Sequence, residues 1–258
     1  MVTLLVHQVH QQKPTPQSPI LVCADDLGGD MLTHWASARD HRARRRVRLL
    51  RLRVTRYMQV KVKQLLDEHG LTYAEEAGIK LADKPSPLYQ LLVLTVLLAH
   101  PIQANVAVAA SQALSKAGLT TPRKMLDATW QERVDTLGKG HYVRYDESTA
   151  TALGDGAKLL LDKYDGDLRK LHEAAGGDVD RLRKLLDEVP RIGPTGVDIF
   201  CREAQAVWPD LRPFFDKRAL QGARKSGLAS DAVRLASLVP DEKSANLASA
   251  LVRASLGS

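Results

Sequence analysis

One carboxylate stands out as a candidate for chemistry. Asp216, in Phe214-Phe215-Asp216-Lys217-Arg218, comes after the turn Val189-Pro190-Arg191-Ile192-Gly193-Pro194-Thr195-Gly196 and a helical stretch. An ionised carboxylate can stabilise positive charge developing nearby and can orient or deprotonate a water. The same residue reads equally well as a helix N-cap, and the two roles are compatible. The turn offers a second kind of chemistry. Its glycines permit close backbone approach, and N–H groups at the start of the next helix can bind an anion, helped by the helix dipole. Ile192 is expected to plug the core and Gly193 to take the open backbone conformation, with Val197, Phe200, Ala204 and Val207 continuing at helical spacing. An ordinary connection between two amphipathic helices would carry the same Pro/Gly pattern, so the turn alone leaves both readings open.

The elements that must position these residues read as helices. Val60, Leu65 and Leu66 suggest a short first helix, and Ser86-Pro87 is expected to cap and open a helix through Ala99 that is apolar on nearly all sides. Asn105 to Ala117 is rich in small residues and ends at Gly118. Thr121-Pro122 starts the next helix, and Thr129 with Glu132 forms a capping box for another. Asp146 is expected to cap a long helix running to Tyr164, which Asp165-Gly166-Asp167 terminates. Asp178 is placed to cap Val179 to Leu186, and further helices begin near Ser230 and Pro240-Asp241-Glu242. No interval alternates as strands do, so the fold class is all-α.

Composition narrows the function classes. A hydrophobic content of 44% with mean hydropathy −0.22 describes a soluble globular chain, and the apolar run Leu91–Ala99 is far short of the ~20 residues of a membrane helix. The N-terminus lacks the order of a signal peptide. Cys23 and Cys201 alone can build neither a disulfide framework nor a four-cysteine metal site, which points to a reduced, cytoplasmic setting (the nucleoid, in a bacterial cell). His100, His141 and His172 are too scattered for a metal signature.

The net charge of +7 is unevenly distributed. Residues 1–57 hold ten Lys/Arg and the four acids Asp25, Asp26, Asp30 and Asp40; subtracted from 37 and 30, they leave 27 basic and 26 acidic residues in 58–258. The basic character therefore belongs to the N-terminal segment. Three readings of 1–57 stay open: a disordered arm that contacts phosphates, a solvated tail, or an extension preceding a true start at Met58.

The order of these segments resembles the helix-hairpin-helix-GPD superfamily, the endonuclease III-like DNA glycosylases. Pro85-Ser86-Pro87-Leu88-Tyr89-Gln90-Leu91-Leu92 is similar to the opening of the family's first long helix, and Asn105-Val106-Ala107-Val108 fits the helix that follows. Lys158 to Leu168, with Asp165-Gly166-Asp167, resembles the helix before the family's Leu-Pro-Gly-(Val/Ile)-Gly hairpin. Order and spacing agree across residues 58–228. The resemblance implies a two-lobed fold. A six-helix barrel (88–208) would pack on a lobe built from 58–87 and 209–258, with residues 1–57 outside both. It implies Asp216 as the catalytic carboxylate in the cleft between the lobes. It also implies DNA contacts from Arg191, Gly193, Thr195, Gly196 and Lys217, and from His100 and Gln103 in a loop that probes the duplex. Tyr142, Arg144 and Tyr145 are candidates for the base pocket, with core packing the competing role of the tyrosines. The partner implied is double-stranded DNA with a damaged or mismatched base, bound by a monomer without metal or other cofactor and away from any membrane.

Three departures narrow that chemistry. Bifunctional family members carry a Schiff-base lysine where this chain has Thr195, which cannot form an imine, so strand cleavage by that route is not expected. Arg191 replaces the first hairpin glycine and Pro194 removes one N–H, which questions the phosphate geometry. No cysteine follows Cys201, as an iron–sulfur cluster of the family would require, and Cys201 reads as a small buried residue. The expectation is a monofunctional, base-hydrolysing glycosylase. The alternatives are a catalytically inactive DNA-binding or damage-sensing relative, and an unrelated helical interaction protein.

Overall fold

The computed structural model describes residues 41–257, with side chains from Arg53 onward; expectations for residues 1–40, Cys23 included, lie outside the described residues. The chain divides after Leu52, and the packing described below is that of the unit beginning at Arg53. Among the described residues every regular element is helical. In chain order these are α1 (His41–His69), α2 (Tyr73–Glu76), α3 (Pro85–Leu98), α4 (Ala104–Lys116), α5 (Pro122–Asp127), α6 (Trp130–Lys139) and α7 (Asp146–Tyr164). They continue as α8 (Leu168–Ala175), α9 (Val179–Asp187), α10 (Gly193–Ala204), α11 (Lys217–Lys225), α12 (Ala232–Ala236) and α13 (Ser244–Leu256), with 3-10 turns at Pro209–Leu211 and Asp241–Lys243. No helix is long and apolar enough to cross a membrane among the residues described.

Local chemistry explains most helix starts. Thr121 accepts from the Lys124 amide, Thr129 and Glu132 form the reciprocal capping box, and Asp178 accepts from the amides of Asp180 and Arg181. Other starts differ from the sequence expectation. Helix α3 begins at Pro85 with Lys84 in the cap position, so Ser86 lies inside the helix, where its hydroxyl donates to the Thr120 carbonyl at 2.9 Å. Asp146 is likewise the first helical residue rather than the cap, which is Tyr145. A whole element was missed: Asp167 ends one turn and caps α8, which stands between the long α7 and the Asp178-capped α9 that enters the hairpin as expected. Helix α1 runs unbroken through Tyr57 and Met58, where the composition changes.

Two apolar clusters form. The larger gathers residues from Tyr73 to Leu211 around α3, in which Leu88, Leu91, Leu94 and Leu97 are fully buried. Each such leucine stabilises the fold by about 2 kcal/mol. The smaller joins Val62 to Phe215, Ala219, Ala223, Leu228, Leu235 and the α13 residues Leu247, Ala248, Leu251 and Val252. Residues 73–79 pack with the larger cluster, not with the smaller lobe to which the resemblance assigned 58–87. Arg133 in α6 is buried and donates to the carbonyls of Met125, Ala128 and Ala150, tying α5 and α7 together.

The smaller cluster depends on a backbone crossing. A Cβ on Gly222 in α11 would overlap the carbonyl oxygen of Leu251 in α13, so the helices approach as only glycine permits. Gly222→Ala is expected to lower unfolding stability in urea by about 2–3 kcal/mol, the cost of overpacking. Gly138→Ala on α6, where a Cβ meets nothing within 4 Å, should be neutral or stabilise by up to about 1 kcal/mol. Equal effects from the two substitutions would contradict this packing.

Candidate nucleic-acid interface

The hairpin forms. Helix α9 ends at Asp187, the chain turns through residues 188–192, and α10 begins at Gly193. Ile192 is buried at 1% exposure and Gly193 has φ +54°, as its position in the turn requires. Gly196 has no room for a side chain: a Cβ there would press on Ile192 at 2.7 Å and Ala99 at 3.3 Å, which seats α10 against the end of α3. Arg191 resolves the second departure unexpectedly. It adopts φ +63°, the left-handed conformation of a glycine, and so preserves the turn at a cost of about 1–2 kcal/mol for an L-residue. Pro194 removes one donor, yet the amides of Gly193 and Thr195 have no acceptor among the described residues. Thr195 itself is exposed.

The loop after α3 meets this turn. His100 Nδ1 lies 3.0 Å from the Val96 carbonyl and its Nε2 lies 3.1 Å from an Arg191 guanidinium nitrogen. The pair of contacts fits the tautomer with the proton on Nδ1, which donates to the carbonyl while Nε2 accepts from Arg191. The His100 ring also packs at 5.2 Å on Tyr145, over which Arg144 stands at 5.3 Å. Arg144 and Arg191 are exposed, as is Gln103, the residue preceding α4. His100, Arg191, Arg144 and Tyr145 thus form one patch from three segments. Tyr142 is fully buried, with its hydroxyl 3.4 Å from the Leu97 carbonyl, and burial pushes its pKa up. Core packing is its role. His172 belongs elsewhere: it stacks on Trp208 at 4.1 Å and bonds Asp210 at 2.7 Å.

Asp216 occupies the N-cap of α11, where Oδ1 accepts from the amides of Arg218 and Ala219 at 2.8 and 2.9 Å. Its Oδ2 is ion-paired with Arg202 of α10, and the two side chains are only 3% and 2% exposed. Both carboxylate oxygens are therefore engaged, and Lys217 beside it is exposed. Arg202 and Glu203 escaped the sequence reading. Glu203, 1% exposed, accepts from the amides of Tyr73 and Ala74 and from the Ser249 hydroxyl. One signal was present: two adjacent charges in the otherwise apolar run from Ile199 to Ala204 need buried partners. Cys201, next to them, is fully buried and its thiol is pushed up to about 12 by desolvation.

Compared with family models, curated proteins and solved structures, the chain matches none. What the site can do must therefore come from its own geometry.

Arg202 sits seven residues beyond Thr195, two turns along the same face of α10. Removing it strands a buried carboxylate. Arg202→Met is expected to cost about 3–5 kcal/mol in urea unfolding, and adding Asp216→Asn should recover part of that loss. A loss under about 1 kcal/mol, or strictly additive effects, would show that the pair is not coupled in the folded protein.

Proposed function

We propose that the chain is a duplex-DNA-binding protein of the helix-hairpin-helix glycosylase type, two-lobed, with its hairpin surface as the principal contact. The observation that carries this reading is Arg191. A non-glycine residue held at φ +63° is strained, and strain retained at an exposed turn points to a role outside folding. Two and four residues on in the same turn, the amides of Gly193 and Thr195 have no acceptor among the described residues, and with the exposed Arg191 they offer donors suited to phosphate oxygens. The His100 loop lies against Arg191, so the two segments that the resemblance assigns to DNA are adjacent. Contacts of this kind anchor a duplex without reading its sequence.

Base removal through Asp216 is the second reading, and one observation favours it. Arg202 and two backbone amides hold the Asp216 carboxylate in a fixed orientation, as a group that stabilises a cationic sugar would have to be held. For hydrolysis, Oδ2 would have to exchange Arg202 for water in the DNA complex. Thr195 supplies no amine, so base loss would leave the strand intact until alkali treatment. A duplex panel carrying oxidised, alkylated, deaminated or mismatched bases tests this reading. Alkali-labile sites should form with the parent chain and disappear with Asp216→Asn. Sites that persist unchanged would remove Asp216 from the chemistry.

The binding reading predicts effects of opposite sign from one substitution. Arg191→Gly should raise stability by about 1 kcal/mol, by relieving the left-handed arginine, while weakening duplex affinity several-fold at 100 mM salt. Fluorescence anisotropy alongside urea unfolding measures both. Undiminished affinity would sink the hairpin as a DNA contact.

A further inference from the structure

Helix α11 carries four cations and no acid in its nine residues. At about 100° per residue, Lys217, Arg218, Gln221, Arg224 and Lys225 fall within about 120° of arc, and all five are exposed. The rest of the helix turns inward: Ala219, Gly222 and Ala223 are buried, and Leu220 packs half-buried on the smaller apolar cluster. We propose that this outer face binds the phosphate backbone of the duplex that the hairpin contacts, as a second anchor that reads no sequence. The proposal rests on the duplex-binding reading for the identity of the ligand. Of this face, the resemblance implied only Lys217.

Folding does not account for these charges. Lys217 and Arg218 stand in the first turn of α11, where the helix dipole disfavours cations, and no acid in that turn offsets them. The side chains of Lys217, Arg218 and Arg224 form no ion pair among the described residues, whereas Lys225 donates to the Ser255 carbonyl. Residues 58–258 hold 27 basic and 26 acidic residues, so four cations without an acid are a local concentration and not the average of the chain. Such a concentration attracts an anion from outside the fold.

Position selects the occupant. Asp216, the cap of α11, is ion-paired with Arg202, and Arg202 lies two turns beyond Thr195 on the same face of α10. Seven residues of helix span about 10 Å, the scale of roughly three phosphate steps along one strand and of the width of a groove. A duplex lying on the hairpin therefore brings further phosphates past the start of α11. Lys217-Arg218 and Arg224-Lys225 are themselves seven residues apart, so the cation pairs repeat along the helix at that same interval. A bilayer surface or a partner's groove takes a helix with apolar side chains to bury, and the exposed arc of α11 has none. The contact runs through side chains, so the Arg218 and Ala219 amides stay closed by Asp216.

The test uses the full chain and an undamaged duplex of about 20 base pairs, with anisotropy read between about 50 and 200 mM salt. Replacing Lys217, Arg218 and Arg224 together by Gln should flatten the slope of log Kobs against log salt by about 2–3 and weaken binding about tenfold at the lowest salt. The same loss of charge from Lys116, Lys124 and Lys139, exposed on α4, α5 and α6, should change the slope by less than about 1. Arg218→Lys with Arg224→Lys keeps the charge and should keep the parent slope. A urea midpoint of the Gln variant equal to or above the parent's establishes that charge and not the fold was removed. The arginines before residue 57 are common to every variant and cancel in the comparison. An unchanged slope in the α11 variant, or an equal change in the remote one, overturns the proposal. So does the absence of duplex binding at the lowest salt, or equal or tighter binding of duplex RNA or phosphatidylserine vesicles. Weakening by Arg191→Gly alone removes α11 and keeps the hairpin; weakening by the α11 variant alone removes the hairpin and keeps α11.

Discussion

Adjacent charges of opposite sign, Arg202 and Glu203, are buried together at the end of α10, and the smaller apolar cluster is held to the larger through them. Glu203 closes the amides that open α2 and takes the Ser249 hydroxyl of α13. Arg202 reaches the start of α11 through Asp216 and lies 5.9 Å from the Tyr73 ring centroid. A single turn of α10 therefore contacts three helices from both ends of the described chain. Each charge is expensive to bury alone and tolerable only when paired, so the partners must arrive in one arrangement. This is a geometric constraint more than a source of stability, since well-packed apolar residues of the same shape can hold a fold equally well.

The same constraint shapes the functional argument. A carboxylate that caps a helix and pairs with a buried arginine has both oxygens engaged in this arrangement. The patch of half-buried His100 and Tyr145 with exposed Arg144 and Arg191 is different in kind: it is assembled from donors and rings with a strained backbone beneath. Binding asks only for what that patch already presents. Catalysis asks the buried pair to open.

The legible parts of the molecule were those encoded locally. Thr121, the Thr129–Glu132 box and Asp178 cap where their neighbours say they should, because a cap bonds within three residues. The hairpin was readable for the same reason, as were Ile192 as plug and Gly193 as the open position. Ser86 was misread because Pro85 is compatible with the first helical position as well as Pro87, and the Ser86 hydroxyl is drawn to a carbonyl 34 residues away. Helix α8 was missed because a Gly-containing turn and a capping aspartate share the same three residues. Glu203 could not be placed at all, since its partners on α2 are about 130 residues distant. Arg191 stands where a glycine would be at ease, and the rest of the turn holds it in glycine's left-handed conformation, which its residue type alone does not announce.

The most direct measurement is amide hydrogen exchange of the full chain with and without a saturating undamaged duplex, read by peptide mass spectrometry. Binding at the hairpin surface predicts slower exchange in peptides covering residues 100–106 and 191–196. Peptides covering 216–219, already protected by the Asp216 cap and the buried Arg202, should not change. A footprint that misses the hairpin, or one that appears at 216–219 and leaves 191–196 untouched, would contradict the account.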